Sequence, residues 1–173
     1  MNKLKRITTE YLDIEDRIRV TALTEDDKIL VLWFTYRLMS RVVTHCVNLL
    51  EKHSPELANT PTTDKQSRSS TQSFVQQSAQ QNLHKEESVT AIENSHDYLI
   101  QEVDVKLAAE NLTLIFKAES IENSELRLNN RALRQWLGII FSIWKKADWP
   151  ISLWPDWMDE ASIEGPSSNI PVH

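Results

Sequence analysis

Few side chains in this sequence have the types and spacing that chemistry requires. His45 and Cys46 are adjacent in a segment with helical periodicity, where neighbouring side chains point about 100° apart. His53 lies two turns beyond Cys46, too far to share a metal ion with it. The acidic run 25–27 has neither a glycine nor spaced oxygen ligands, so it predicts a solvated turn rather than a calcium site. We therefore predict no catalytic residue, no metal site and no cofactor.

Glycine is almost absent, and this excludes several classes of site. The chain contains only Gly138 and Gly165. Phosphate-binding loops and dinucleotide fingerprints need glycines where backbone amides approach a phosphate, and the nucleophile elbow of hydrolases needs two more. None of these glycine-containing motifs occurs in this sequence. An enzyme whose site is built from dispersed residues remains an open alternative.

Charge and composition favour a cytoplasmic protein. The formal charge of −6 argues against bulk binding to nucleic acid, which usually needs a basic surface. A single cysteine excludes an internal disulfide and fits a reducing compartment. No apolar run approaches the roughly 20 residues of a membrane helix, and the first 16 residues lack the apolar core of a secretion signal. We expect no membrane association.

The segment after residue 147 concentrates tryptophan beside proline. Three indoles fall within nine residues, and leaving so much apolar area in water is costly. The preceding helical pattern is apolar most of the way round, because Ile139 and Ile143 add to its main stripe. The tryptophans either fold back onto this helix or bind a partner. The candidate partner-binding residues are Trp149, Trp154, Trp157, Ile139 and Ile143.

A second candidate surface is the outer face of the first predicted sheet. Alternation places Arg17, Arg19, Ile29, Val31 and Trp33 on one face. Arginines beside a tryptophan suit base stacking with phosphate contacts, or contact with a protein. The alternative, which we favour, is that this face packs against another part of the chain.

Four arginines, Arg37, Arg41, Arg131 and Arg134, lie near the beginnings of two predicted helices, where the helix dipole prefers acids. Arg37 and Arg131 occupy equivalent positions, which could mark a symmetric anion-binding or inter-half contact. We interpret all four as an ordinary solvated helix face.

The elements that position these residues form two similar halves. Residues 1–53 read as three strands and a helix capped by Thr35, and residues 98–147 read as three strands and a helix capped by Asn129 or Asn130. Residues 54–97 are rich in Ser, Thr, Gln and Asn and predict a largely disordered linker, in which residues 72–93 could form a transient helix. Residues 148–158 form the Trp/Pro segment, expected to pack on the core, and residues 159–173 a disordered tail.

A shift of 94 positions aligns the two halves without gaps. It pairs Ile18 with Leu112, Thr35 with Asn129, and the apolar stripe of one helix with that of the other. The predicted fold is α+β and consists of internally duplicated β-β-β-α units in one domain. Its strands are expected to form an antiparallel sheet, and its two amphipathic helices to pack about a pseudo-twofold axis. In topology alone, repeated units of antiparallel strands followed by a helix resemble the PUR-alpha and Whirly proteins. That resemblance implies single-stranded nucleic-acid binding, although those families have four strands per unit.

The sequence indicates the function of the protein only in outline. The leading hypothesis is a non-enzymatic interaction or accessory protein with a protein partner, which includes homodimerisation. The alternative is a single-stranded nucleic-acid-binding protein that uses the Arg/Trp sheet face.

Overall fold

The computed structural model describes residues 1–84, 86–93, 95–109 and 111–163. These ranges contain the strands β1 (Asn2–Leu12), β2 (Arg17–Thr24), β3 (Ile29–Phe34), β4 (His96–Leu99), β5 (Glu102–Ala108), β6 (Asn111–Lys117) and β7 (Ser124–Asn129). Their helices are α1 (Tyr36–His53), α2 (Lys65–Gln81), α3 (Asn130–Lys146) and α4 (Asp156–Ile163), with short 3₁₀ turns at Pro55–Leu57 and Ile151–Leu153. The α+β class is confirmed.

The strands form one mixed sheet in the order β4-β3-β2-β1-β7-β6-β5. Strands β1 to β3 form one antiparallel meander, and β5 to β7 form another. The two meanders join where β1 pairs with β7 in parallel, and β4 pairs in parallel with β3 at the edge of the sheet. The prediction of an antiparallel sheet was therefore wrong for these contacts. Alternation shows which face a side chain takes but carries no information on which distant strand lies alongside.

The sheet curls so that its two edges meet. The edge strands β4 and β5 are separated in the chain only by Ile100 and Gln101. The N–H of Ile100 donates to the carbonyl of Trp33 at 2.9 Å, and the N–H of Gln101 donates to the carbonyl of Lys117 at 2.9 Å. One extended segment thus pairs with β3 at one edge of the sheet and with β6 at the other.

The core lies between the concave face of the sheet and the helices, and it draws on both predicted halves. Phe34 of β3 and Phe116 of β6 meet edge to face, with ring centroids 5.3 Å apart. Both predicted caps are present, since the Thr35 hydroxyl accepts from the N–H of Leu38 and the Asn129 amide oxygen accepts from that of Ala132. The predicted α3 stripe is buried throughout: Leu133, Trp136, Leu137, Ile140, Phe141 and Trp144.

The predicted linker contains a packed helix, which corrects the expectation of disorder for residues 54–97. Helix α2 begins after Asp64, whose carboxylate accepts from the N–H of Ser67 at 3.0 Å. Its buried face consists of Gln72, Gln76 and Ala79, so composition gave little sign of it. The two glutamines are buried because their amides bond to backbone carbonyls of neighbouring helices, which offsets the cost of removing them from water.

Helix α2 covers the second face of α3 at Gly138. A Cβ built on Gly138 would lie 2.5 Å from Nε2 of Gln80 and 3.3 Å from Nε2 of Gln76. A glycine in a helix interior costs about 1 kcal/mol relative to alanine. Its position here is explained by the close approach of α2.

The C-terminal part of the described chain is also ordered further than expected. Helix α4 covers residues that the sequence assigned to the Trp/Pro segment and the start of a disordered tail. Met158 and Ala161 are almost fully buried, which is why the helix forms. Residues 164–173 of the predicted tail lie outside the described residues. None of the described helices has the length and apolar content required to cross a lipid bilayer.

Candidate functional site

A cavity of about 500 Å³ opens where three helices meet the β5–β6 hairpin. Its walls come from the C-terminal end of α1, one face of α2, the first turns of α3 and the strand ends beside them. The apolar lining residues are Leu49, Leu50, Val75, Ala79, Leu107, Ala109, Leu112, Leu128 and Leu133. The polar and ionisable lining residues are His53, Ser54, Glu56, Ser78, Asn129, Asn130, Arg131 and Arg134. We call it the Arg134 cavity.

Arg134 is the one arginine among the fully buried side chains of the described residues, and only 1% of its surface is exposed. Its Nη2 donates to the Ser54 hydroxyl at 2.8 Å and to Oε1 of Gln72 at 2.5 Å. Its Nε donates to Oδ1 of Asn130 at 3.1 Å. The guanidinium also lies over the ring of Trp157, 5.8 Å from the centroid. These contacts fix the side chain between four elements.

All three hydrogen-bond partners of this guanidinium are neutral. Its Nη1 is buried and has no hydrogen-bond partner in the described chain. Burial lowers the pKa of Arg134 to about 10, and the nearby carboxylate of Glu56 acts in the opposite direction. A pKa of about 10 still leaves the group cationic at neutral pH. Arg134 therefore places a buried positive charge beside the cavity, and none of the described residues supplies a bonded counter-ion.

Helix α2 holds this arrangement in place. Nε2 of Gln76 donates to the backbone carbonyl of Arg134 at 2.8 Å. Nε2 of Gln72 donates to the carbonyl of Leu50 at 2.9 Å, which ties α2 to the end of α1. On the outer side of α2, Arg68 donates to the carbonyl of Glu51, and the Glu51 carboxylate accepts from Nε1 of Trp157 at 3.0 Å. The site is thus built partly from the segment that composition assigned to a linker.

Sequence reasoning missed Arg134, which it placed on a solvated helix face. Arg37, Arg41 and Arg131 are exposed, as that interpretation expects. Arg134 differs because it lies one turn before Gly138, on the side of α3 that α2 covers. Gly138 was the available signal, because a glycine in a helix interior indicates a close neighbour on that side of the helix.

The described residues around the cavity offer binding groups but no catalytic set. Burial raises the pKa of the Cys46 thiol to about 12, so this buried thiol is a poor nucleophile. Within the described ranges, no group of three or more His, Cys, Asp or Glu side chains is placed to hold a metal ion. Chemically, the arrangement can receive an anion beside apolar walls.

The five candidate partner-binding residues lie around α3. Trp149 is half-buried, with its ring 4.8 Å from Trp144, and Trp154 packs 5.0 Å from Phe141. Trp154 and Trp157 are buried, Ile143 is 9% exposed and Ile139 is partly buried. The tryptophans therefore contact their own chain in this structure. Whether any of the five binds a partner remains a prediction.

The five candidate sheet-face residues share the convex face of β2 and β3, as alternation predicted. Arg19 lies opposite Trp33 in the ladder, and its guanidinium is 5.7 Å from the Trp33 ring centroid. Arg19 also forms an ion pair with Glu10 on β1. Arg17, Ile29 and Trp33 are partly buried, and Val31 is 1% exposed.

A strap from residues 86–93 crosses the same face. The N–H of Val89 donates to the Thr8 hydroxyl at 2.8 Å, and the Val89 side chain is 5% exposed. Thr8 pairs with Thr21, and Thr21 pairs with Val31, so Val89 lies on that row. Nucleic-acid binding by this face remains a prediction.

No protein-family model, curated protein or solved structure matches this chain significantly.

Proposed function

We propose that this chain is a non-enzymatic binding protein, acting as an interaction or accessory protein, that receives an anionic group of its partner in the Arg134 cavity. The observation that carries the proposal is the buried guanidinium of Arg134, a residue that lines the cavity; its hydrogen-bond partners among the described residues are all neutral. The contact is non-covalent, because the lining offers binding groups and no activated nucleophile.

Arg134 carries a charge that the fold buries, and burying a charge costs free energy. Removing an ion from water costs several kcal/mol, and a buried charge is normally compensated by an opposite charge and hydrogen bonds. Arg134 has the hydrogen bonds, but no carboxylate of the described residues is bonded to it. An anion that bonds to it would gain a charge-assisted interaction in a site of low dielectric, where such bonds are strongest. The free energy left uncompensated within the chain is then available for binding.

The proposal is tested with amphiphiles that differ only in their head group. Octanoate, octyl phosphate and octylammonium are titrated into the purified protein at constant ionic strength while tryptophan fluorescence is recorded. Trp157 reports on the site because it lies against the Arg134 guanidinium. We expect at least one of the two anions to change the emission saturably and the cation to leave it unchanged. No saturable response to either anion would refute the proposal.

We also propose that the fold is an internal duplication about a pseudo-twofold axis. The shift of 94 positions converts the pair Ile18 and Phe34 into Leu112 and Leu128, which are paired in the second meander. The same shift converts the parallel pair Asn2 and Ser124 into His96 and Leu30, taken in the reverse order. The pairing of β5 with β6 differs from that of β1 with β2 by two residues.

The duplication is tested by sequences of homologous chains. If the halves derive from one unit, separate profiles of the two halves should align at the offset of 94 more strongly than at other offsets. Equal scores at unrelated offsets would contradict the duplication.

A further inference from the structure

We infer that the anionic group received by the Arg134 cavity is a monocarboxylate at the end of an aliphatic body. This inference rests on the proposed function and adds the chemical class of the ligand. It follows from the charge balance of the lining, from the number of free donors and from the chemistry of the walls.

The charge balance favours a single negative charge. The formally charged lining side chains are Glu56, Arg131 and Arg134, which together leave one net positive charge. A monoanion neutralises this lining, whereas a dianionic phosphate leaves an excess negative charge beside Glu56. Glu56 and Arg131 are exposed, so solvent screens their part of this balance, and the buried charge of Arg134 is the one that the ligand must match.

The donor count favours a carboxylate for a second reason. Nε and Nη2 of Arg134 are already bonded within the chain, so Nη1, which is itself buried, is the nitrogen of the guanidinium that has no partner among the described residues. A phosphate presents three strong acceptor oxygens and is normally surrounded by several backbone N–H groups of a glycine-rich loop. The described lining contains no glycine, and the Asn129 side chain occupies the N–H of Ala132 at the beginning of α3. A carboxylate has two acceptor oxygens, so it needs fewer hydrogen-bond donors from this site than a phosphate does.

The walls match an aliphatic body. Half of the lining is Leu, Val or Ala, and the described lining has no Phe, Tyr or Trp on which a planar ring would stack. Leu107 is 46% exposed at the β5–β6 hairpin, whereas Leu112 is 3% exposed. A cavity of about 500 Å³ lies within the usual range for small-molecule sites. Apolar carbon atoms placed there are removed from water at about 25 cal/mol per Å².

Two sources present this chemistry, a free fatty acid and the C-terminal residue of a peptide. The experiment therefore measures dissociation constants by calorimetry for octanoate, N-acetyl-leucyl-leucine and octyl phosphate, each with the full chain. We expect one of the carboxylates to bind at least tenfold more tightly than octyl phosphate. Tighter octanoate identifies a fatty-acid source, and tighter N-acetyl-leucyl-leucine identifies a peptide C-terminus.

Variants locate the binding. Arg134→Gln removes the charge, and Leu107→Glu adds a negative charge to the exposed part of the lining. Leu99→Glu is the matched control, because Leu99 is 43% exposed in β4 and does not line the cavity. We expect Arg134→Gln and Leu107→Glu each to weaken the carboxylate at least tenfold and Leu99→Glu to leave it unchanged. If Arg134→Gln does not fold, the comparison of Leu107→Glu with Leu99→Glu tests whether the carboxylate binds in this cavity.

The outcomes separate this inference from the proposed function. Octyl phosphate binding as tightly as either carboxylate overturns the inference and leaves the anion-binding function standing. Absence of binding by all three anions overturns both. Carboxylate binding that Leu107→Glu and Leu99→Glu weaken equally overturns the assignment to this cavity.

Discussion

Two glutamines one turn apart on α2 should respond to the same substitution with opposite signs. Gln72 and Gln76 are both essentially buried, with 2% and 0% of their surface exposed. Both amide atoms of Gln72 are bonded, Nε2 to the carbonyl of Leu50 and Oε1 to Nη2 of Arg134. In Gln76 only Nε2 is bonded, to the carbonyl of Arg134, and Oε1 has no partner among the described residues. Methionine, which has a similar shape without hydrogen-bonding amide atoms, tests this difference.

The magnitudes follow from the bonds that each change removes. Gln76→Met removes one neutral hydrogen bond, which contributes about 1 kcal/mol, and an unpaired buried oxygen, which costs about 1 to 3 kcal/mol. It also adds apolar burial, so we expect a gain of about 1 kcal/mol in the free energy of unfolding. Gln72→Met removes an acceptor from a buried guanidinium, and a hydrogen bond to a charged group contributes about 1.5 to 3 kcal/mol. We expect this variant to lose about 2 to 4 kcal/mol.

Urea denaturation followed by tryptophan fluorescence measures both effects, because Trp154 and Trp157 are buried in the native state. A change of 1 kcal/mol corresponds to about 2 to 4 °C in Tm for a chain of this size, so thermal scans give an independent value. Equal destabilisation by both variants would show that Oε1 of Gln76 is satisfied in solution. The account of the packing between α2 and α3 would then fail.

Three further predictions concern other parts of the fold. Gly138→Leu should lower the free energy of unfolding by about 1 to 3 kcal/mol, because a side chain there meets Gln80 and Gln76. Gly138→Ala displaces the amide end of Gln80 and shifts Cγ of Gln80 and the Gln76 amide by less, so it should cost less. Equal Tm values for the two variants would contradict close packing. Val89→Asp should release the strap from the sheet and make it sensitive to limited proteolysis. Thr90→Asp, at an exposed neighbouring position, should not. Equal cleavage of both variants would contradict the packing of Val89 on the sheet. Native Cys46 should react with a thiol reagent at pH 8 far more slowly than in urea, because burial raises its pKa to about 12; similar rates would mean that the thiol is accessible.

The sequence predicted what local chemistry determines. Strand alternation, the caps at Thr35 and Asn129 and the apolar stripe of α3 depend on side chains within a few residues of one another, and all three are present. The α+β class followed from the same patterns. The parallel pairs between the meanders depend on where distant strands meet, and alternation contains no record of that.

The candidate site could not be predicted for a related reason. Helix α2 buries glutamines rather than leucines, so its composition resembles that of a disordered segment. Without α2, Arg134 is one of several arginines near the beginning of a helix. Its burial depends on Gln72 and Ser54, which lie 62 and 80 residues away in the chain. Gly138 indicates a close neighbour on that side of α3, but only the assembled helices show that α2 is that neighbour and that it buries Arg134 and not Arg131.

The curled sheet also constrains the order in which the chain can fold during synthesis. Strand β1 pairs with β7, so Asn2 cannot find its partner until Ser124 has been synthesised. Strand β3 likewise lacks its partner until β4 has been synthesised. Until those residues have been made, the first meander has two open edges, and open edges of apolar strands favour pairing with other chains. At about 5 to 20 residues per second, the interval lasts several seconds or longer. A chain truncated before His96 should therefore accumulate in aggregates, although it contains a complete β-β-β-α unit.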